Sequence, residues 1–264
     1  MTFLHRRTVL RAAAGSALAG AAGCGEDRTA ARSRPSPSPS SKSPAAHGPP
    51  PHGPPLLLPR LPRGLPAQID HGPRNGKAVA LTFHGRGDAK SATALLTEAE
   101  RAGARITVLA VGDWLDAQPQ LARRVLDGGH ELGNHTMRHL NICSMSAQAA
   151  YAEITECAER LRRLTGGIGR WFRPSQARRA TDQVAGLARK AGYPHVLSYD
   201  VDSLDFTDPG AEAVRRTVLD AVRPGSVVSL HFGHAGTVAA LPAILDGLHR
   251  RGLRAVTTTE LLTR

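Results

Sequence analysis

Stacking surface is what this sequence has least of. Aromatic residues make up 4% of its 264 positions, although the formal net charge is +12. Single-stranded nucleic acid is held on aromatic platforms set in a basic groove. Charge without rings argues against that partner, and no nucleic-acid-binding motif is present. The charge is also unevenly placed. Residues 1–65 carry nine Lys/Arg against Glu26 and Asp27, whereas residues 66–264 carry 25 against 20 acids. Arginine pairs such as Arg123-Arg124, Arg162-Arg163 and Arg215-Arg216 read as solvated helix faces. Cysteine is scarce as well, with three in all. Setting Cys24 aside leaves Cys143 and Cys157, open either to one disulfide in an oxidising compartment or to two free thiols. Neither sits in a context that would activate a nucleophile.

The apolar stretch from Ala12 to Ala22 is too short and too rich in Gly and Ala to span a bilayer as a permanent helix. It follows Arg6-Arg7-Thr8-Val9-Leu10, which resembles a twin-arginine export signal. It ends in Ala21-Ala22-Gly23-Cys24, which resembles a lipobox with Cys24 as the lipidated residue. Residues 1–24 are therefore expected to be a lipoprotein signal peptide, with Cys24 as a membrane anchor. Residues 25–65 are rich in Pro and Ser, which can build neither a helix nor a sheet ladder. They predict an extended tether, with His47 and His52 as solvated linker residues. About 200 residues then remain for one well-buried domain, 66–264.

Within that domain strand and helix patterns alternate. Strands are expected at 79–83, 106–111, 196–199, 226–230 and 253–257, and helices at 89–102, 117–127, 147–164, 181–191, 211–222 and 242–250. Such a rhythm implies a parallel sheet with helices outside, as a barrel or as an open doubly wound sheet. Either way chemistry gathers where strands end at their carboxyl edge. The polar clusters obey that rule. His84 and Asp88 follow the first strand, Arg173 follows Trp171-Phe172, Asp202 and Asp205 follow Tyr199, and His231 follows Leu230. His135 and His139, four apart, are expected on one face of a helical turn, able to share one divalent ion.

Several segments carry a resemblance, in order, from about residue 77 to 262. Gly129-His130-Glu131-Leu132-Gly133-Asn134-His135-Thr136-Met137-Arg138-His139 is similar to a segment of the polysaccharide deacetylases (carbohydrate esterase family four, the NodB-homology domain). Phe172-Arg173-Pro174 resembles their Phe-Arg-x-Pro. Asp202-Ser203-Leu204-Asp205-Phe206 resembles their Asp-x-x-Asp-Trp, and Ser229-Leu230-His231 their last strand. The resemblance implies an α/β fold, a distorted (β/α)7 barrel. It also implies a divalent metal, zinc in most members, bound by an Asp and two His. The metal activates water against an acetyl group on a glycan. An Asp serves as base, an Arg orients it, and a His tuned by an Asp protonates the leaving amine.

Two motifs depart from that pattern. Where the family has Thr-Phe-Asp-Asp-Gly-Pro, this chain has Thr82-Phe83-His84-Gly85-Arg86-Gly87-Asp88. Either Asp88 is the third metal ligand beside His135 and His139 with His84 as base, or His84 is the ligand and Asp88 the base. The first preserves the family's ligand type and is the assignment carried forward. After Arg173-Pro174 the family's aromatic residue and Gly are replaced by Ser175-Gln176-Ala177. Gln176 then offers its N–H to substrate without an aromatic wall. Arg173 is the expected orienting residue, His231 the expected acid, and Asp202, ahead of Asp205, its tuning carboxylate. Trp114 and Trp171 read as structural, as does His234, with a place in the cleft lining as its alternative. The whole predicts a monomeric, extracytoplasmic, metal-dependent hydrolase that removes acetyl groups from cell-wall or extracellular polysaccharide. The alternative is a protein of the same fold that only binds glycan.

Overall fold

The computed structural model describes residues 59–263. The signal peptide, Cys24 and most of the expected tether lie outside the described residues. Among the described residues there are eight strands and eight α-helices, in a broadly alternating order. The strands are β1 (Gln68–Ile69), β2 (Ala78–Gly85), β3 (Thr107–Ala110), β4 (Glu131–Asn134), β5 (Val196–Leu197), β6 (Val201–Asp202), β7 (Val227–His231) and β8 (Arg254–Val256). The helices are α1 (Ala89–Arg101), α2 (Gly112–Ala117), α3 (Gln120–Asp127), α4 (Ala147–Thr165), α5 (Asp182–Lys190), α6 (Ala211–Ala221), α7 (Ala235–Arg250) and α8 (Thr258–Thr263). Every strand ladder is parallel. They run β4-β3-β2-β7-β6, with β8 against the start of β2 and β1 against β5. Phe172 bridges Asn134 to Val196 and so links β4 to β5. Among the described residues no ladder joins β6 to β1, which makes the barrel a distorted one.

Residue parity on the central strand sets the layers. Val79, Leu81 and Phe83 pack outward into the large core shared with the helices, while Ala78 and Ala80 join a smaller interior cluster with Trp171, Leu197 and Val227. Alternate residues point to opposite faces of a strand. The inward series of β2 is therefore Ala78, Ala80, Thr82, His84, apolar at the bottom and polar at the carboxyl end. β7 repeats it with Val227, Ser229, His231, and the register sets Thr82 beside Ser229 and His84 beside His231. Burial of the outer face supplies the main stabilisation, at about 25 cal/mol per Å² of apolar surface.

Helix ends follow local chemistry. The Ser146 side chain caps α4 by accepting from the Ala149 amide, and Gly166 closes that helix at φ 83°. The expected helix at 117–127 is instead α2 and α3, parted at Gln118-Pro119, because proline starts a helix more readily than it continues one. Conversely α7 begins at Ala235 and runs through Pro242, which had been expected to start it. The α8 helix was not expected. Thr257 and Glu260 cap it reciprocally, each side chain accepting from the other's amide. Leu61 and Leu65, in the stretch assigned to the tether, pack against the interior cluster. Cys143 and Cys157 are both free, and burial pushes the Cys157 thiol up to about 12.

Candidate active site

Three imidazoles meet at the carboxyl edge of the sheet. One ligand nitrogen each from His84, His135 and His139 lies within 4.8 Å of the others. His84 arrives by the parity of β2. Its Nε2 lies 3.2 Å from the Ser229 hydroxyl, and its Nδ1 is buried without a hydrogen-bond partner. His135 follows β4 directly. Its amide donates to Ala110 O, and its ring Nδ1–H donates to the Arg173 carbonyl at 3.0 Å. That bond fixes the tautomer and leaves Nε2 as a lone pair, itself buried and unpartnered.

His139 reaches the cluster by a different route from the helical turn expected. The segment after β4 is a loop with Thr136 at φ 69° and His139 at φ 58°. Two non-glycine residues in the left-handed region need outside support, and the loop has it on three sides. Asn134 Oδ1 accepts from the Thr136 amide, while its Nδ2 donates to Ile154 O and the Tyr193 hydroxyl. Glu153 on α4 accepts from the Arg138 amide at 2.8 Å. Gln176 Nε2 donates to His139 O at 2.8 Å, and Ser175 bonds Leu140 O.

The set suits a divalent cation. Burial, then the neighbouring histidines and Arg173, hold the His84 ring well below the ordinary histidine range; burial and His139 do the same for His135. Burial and Arg86 also lower His139. Three neutral imidazoles, two with an unpartnered buried nitrogen, are what a metal of the zinc type requires.

Asp88 is not among them. It is exposed, and its carboxylate caps α1, accepting from the Ser91 amide at 2.8 Å and the Ser91 hydroxyl at 2.7 Å. The expected assignment of Asp88 as ligand and His84 as base is corrected accordingly: His84 is the third member of the cluster, and Asp88 stands apart as either ligand or base. The reason is positional. The inward parity of β2 stops at His84, and Asp88 is already the first cap of the next helix.

The second correction concerns His231. Its partner is Asp205, which accepts from the ring Nδ1–H at 2.7 Å and from the His231 amide at 2.8 Å. Thr237 adds a third bond, at 2.6 Å. Burial pushes the Asp205 carboxyl up, but these bonds together outweigh it and hold it below the usual carboxylate range. Asp202 instead accepts from the Leu204 amide at 3.1 Å. Leu204 at φ 56° turns the chain so that Asp205 points back under the His231 ring. Nothing in the spacing of two nearby aspartates announces that turn.

Arg173 is fully buried without a carboxylate partner. Its Nε donates to Leu197 O and its Nη2 to Thr82 Oγ1 and Ser198 O, while Nη1 is unpartnered. Burial draws its pKa down to about 10.

These groups open on a cleft of about 600 Å³, lined among others by His84, His139, Gln176, Asp202 and His231. Tyr199 and Phe206 also line it, so aromatic surface is present although the expected wall residue is absent. Phe206 is 49% exposed and stands edge-on to His231, ring centroids 5.7 Å apart. His234, expected to be structural, lines the cleft too and bonds Asp208 at 2.8 Å. Ser229, Tyr199, Arg86 and Arg178 are cleft residues to which the sequence reading assigns no role.

The family model described as polysaccharide deacetylase matches residues 71–196. A peptidoglycan-N-acetylglucosamine deacetylase of Bacillus cereus is 33% identical over 200 residues, covering 72% of this chain and 90% of that one. The chain belongs to the polysaccharide deacetylase family. Among solved structures, a peptidoglycan N-acetylglucosamine deacetylase in complex with a hydroxamate-type benzamide superposes with a TM-score of 0.70 at 26% identity, covering 75% of this chain and 93% of that one. A CE4 family pseudoenzyme from Bacillus anthracis superposes with a TM-score of 0.71 at 24% identity, covering 75% and 69%; that likeness shows the deacetylase fold alone.

Proposed function

We propose that this protein is a metal-dependent hydrolase that removes acetyl groups from cell-wall or extracellular polysaccharide. The observation that carries the reading is the trio of neutral imidazoles with two unpartnered buried nitrogens, opening on a cleft beside a second, carboxylate-paired histidine. Membership of a deacetylase family supports the acetylated glycan as substrate. His84, His135 and His139 would hold the divalent cation, zinc by the nature of the donors. When bound, the cation supplies a polarised acetyl carbonyl and a nucleophilic water at neutral pH.

The chain's own residues supply the rest. Asp205 fixes the His231 ring with Nδ1 protonated, so that Nε2 is the atom able to take up a proton and hand it to the leaving amine. Gln176 braces the His139 carbonyl, which ties the metal-binding loop to the cleft wall. Arg173 anchors His135 through its backbone carbonyl and keeps a buried positive charge behind the cluster. Tyr199 and Phe206 face the sugar and exclude water from one side of it. An extracytoplasmic location, with Cys24 as lipid anchor and the Pro/Ser-rich stretch before Leu61 as tether, is supported by the export-type N-terminus and suits a cell-wall substrate.

A second reading is favoured by one specific observation. No carboxylate from the turn after β2 joins the cluster, since Asp88 is spent on the α1 cap. In that reading the protein binds glycan without cleaving it. Metal analysis and acetate release separate the two. The purified protein should hold about one divalent ion per chain and release acetate from N-acetylated glycan, and His135→Ala should lose both. A wild-type protein free of metal and inert on every acetylated glycan would leave only the binding role.

A further inference from the structure

Both turns that depart from the family pattern bring an arginine to the cleft. Arg86 follows His84-Gly85, Arg178 follows Gln176-Ala177, and both are exposed cleft-lining residues. Neither makes an ion pair among the described residues, although many other arginines of the domain do.

Arg178 is held through its side chain, Arg86 through its backbone. Arg178 Nε donates to Tyr199 O at 3.2 Å, and its guanidinium lies 5.3 Å from the Tyr199 ring centroid. One edge of the fork is thereby fixed, and its terminal nitrogens are left without a protein partner. Arg86 rides on a rigid turn. Its amide donates to His84 O at 2.9 Å. The next carbonyl, Gly87 O, accepts from Trp114 Nε1 and Gln118 Nε2, each at 2.9 Å. Gly87 is at φ 152°, where an added Cβ would lie 2.8 Å from the Gly233 Cα, so the turn lies close against its neighbour. Asp202 is the single acid among the described residues lining the cleft; it is engaged with the Leu204 amide and lies beside the Tyr199 hydroxyl.

We propose that the cleft takes an acetylated glycan that also carries a carboxylate, with Arg178 and Arg86 receiving the acid group while the acetylated ring lies over the histidine cluster. The inference rests on the deacetylase reading for the acetyl group. For the charge it rests on the two arginines alone. Guanidinium groups bind carboxylates in paired, charge-assisted hydrogen bonds, and one positioned in advance, as that of Arg178 is, discriminates against neutral analogues that leave it unsatisfied.

The test is calorimetric binding of the metal-free full chain, which separates recognition from hydrolysis. Three probes of one length are compared: a tetrasaccharide alternating N-acetylglucosamine with glucuronic acid, its methyl ester, and the neutral N-acetylglucosamine tetramer. At low salt the acid should bind about tenfold tighter than either neutral probe, the gain expected of one or two partly exposed charge-assisted contacts. Raising salt to about 0.5 M should erase most of that preference in the unaltered protein. The double variant Arg86→Gln, Arg178→Gln should bind all three probes alike. Binding of acid and ester within about twofold, binding of none, or a preference that survives the double substitution would overturn the proposal. If the acid is preferred yet no acetate is released from any glycan by the metal-loaded protein, it is the hydrolytic reading that fails.

Discussion

Replacing Gly85 with aspartate would restore the letter that the polysaccharide deacetylase pattern has at that position, and the structure says that it should damage the protein instead. Gly85 is one residue past His84 on β2, so its side-chain direction is outward, toward the helix layer. A Cβ there would lie 2.9 Å from Val108 Cγ1, 3.0 Å from the Ala110 Cα and 3.3 Å from the Leu109 carbonyl. Two of those three atoms are backbone of the neighbouring strand and cannot rotate away. Overpacking of this kind costs about 1–3 kcal/mol. A carboxyl group delivered into the apolar outer layer, with no donor to meet it, adds about 2–3 kcal/mol more even if it protonates. The sum, about 3–6 kcal/mol, corresponds to a fall in Tm of roughly 10–20 °C for a domain of this size. Circular dichroism melts of Gly85→Ala and Gly85→Asp separate the steric part, common to both, from the polar part. Metal titration of each variant then tells whether a new ligand has formed. A Gly85→Asp protein that melts within about 2 °C of the parent and binds metal more tightly would refute the parity argument.

The remaining predictions concern the site directly. Because His84 and His135 sit below the ordinary histidine value in the folded protein, the unfolded chain takes up protons first as pH falls. The metal-free protein should therefore be fully stable above pH about 6.5 and lose about 1.4 kcal/mol per pH unit for each such histidine as pH falls from there. A urea midpoint that stays flat from pH 8 to 5 would contradict the burial of these rings. Asp205→Asn should lower kcat for acetate release about 100-fold, and Asp202→Asn less than tenfold, because only Asp205 bonds the His231 ring; the reverse order would return the tuning role to Asp202. Glu153→Gln, which weakens the clamp on the Arg138 amide and the Arg138 ion pair, should reduce metal affinity by about tenfold with the fold intact, as read by competition with a chelator. Unchanged affinity would mean that the loop holds His139 without α4.

How much of this was legible differs element by element. The strand at 79–83 and its polar exit were readable because alternation and a glycine turn are local signals, and β2 brackets that stretch. The identity of the third imidazole was readable in principle, since Ala78, Ala80, Thr82 and His84 form one period-two series. The family's ligand type drew attention to Asp88, whose N-cap role is an equally ordinary use of an aspartate before a helix. The path of residues 135–139 was not readable. Left-handed Thr136 and His139 are imposed by Asn134, Glu153, Ser175 and Gln176, partners up to 39 positions away. For the same reason Asp205 could not be preferred over Asp202, because the αL turn at Leu204 is set by packing and not by sequence propensity.

The exchange of a carboxylate for an imidazole at the end of β2 also alters the charge of the whole cleft. A dication held by His84, His135 and His139 would keep its full charge, where a carboxylate ligand would cancel part of it. Behind it Arg173 is buried with no carboxylate in ion-pair contact, Asp202 acting on it from a distance, and at the rim Arg86 and Arg178 make no ion pair among the described residues. Against these stand Asp205, already bound to His231, Asp208, bound to His234, Asp113, which acts on His139 from a distance, and Asp202. Around the buried Arg173 such an excess is costly unless an anion offsets it, while the exposed rim arginines are screened by solvent and add to it more weakly. The developing oxyanion of the acetyl group is one such anion, but it exists only in the transition state. An acid group on the substrate would supply the compensation already in the ground state. On the proposed reading the all-histidine cluster and the two rim arginines act as one electrostatic arrangement, reached by two departures from the family pattern that the sequence alone presents as unrelated.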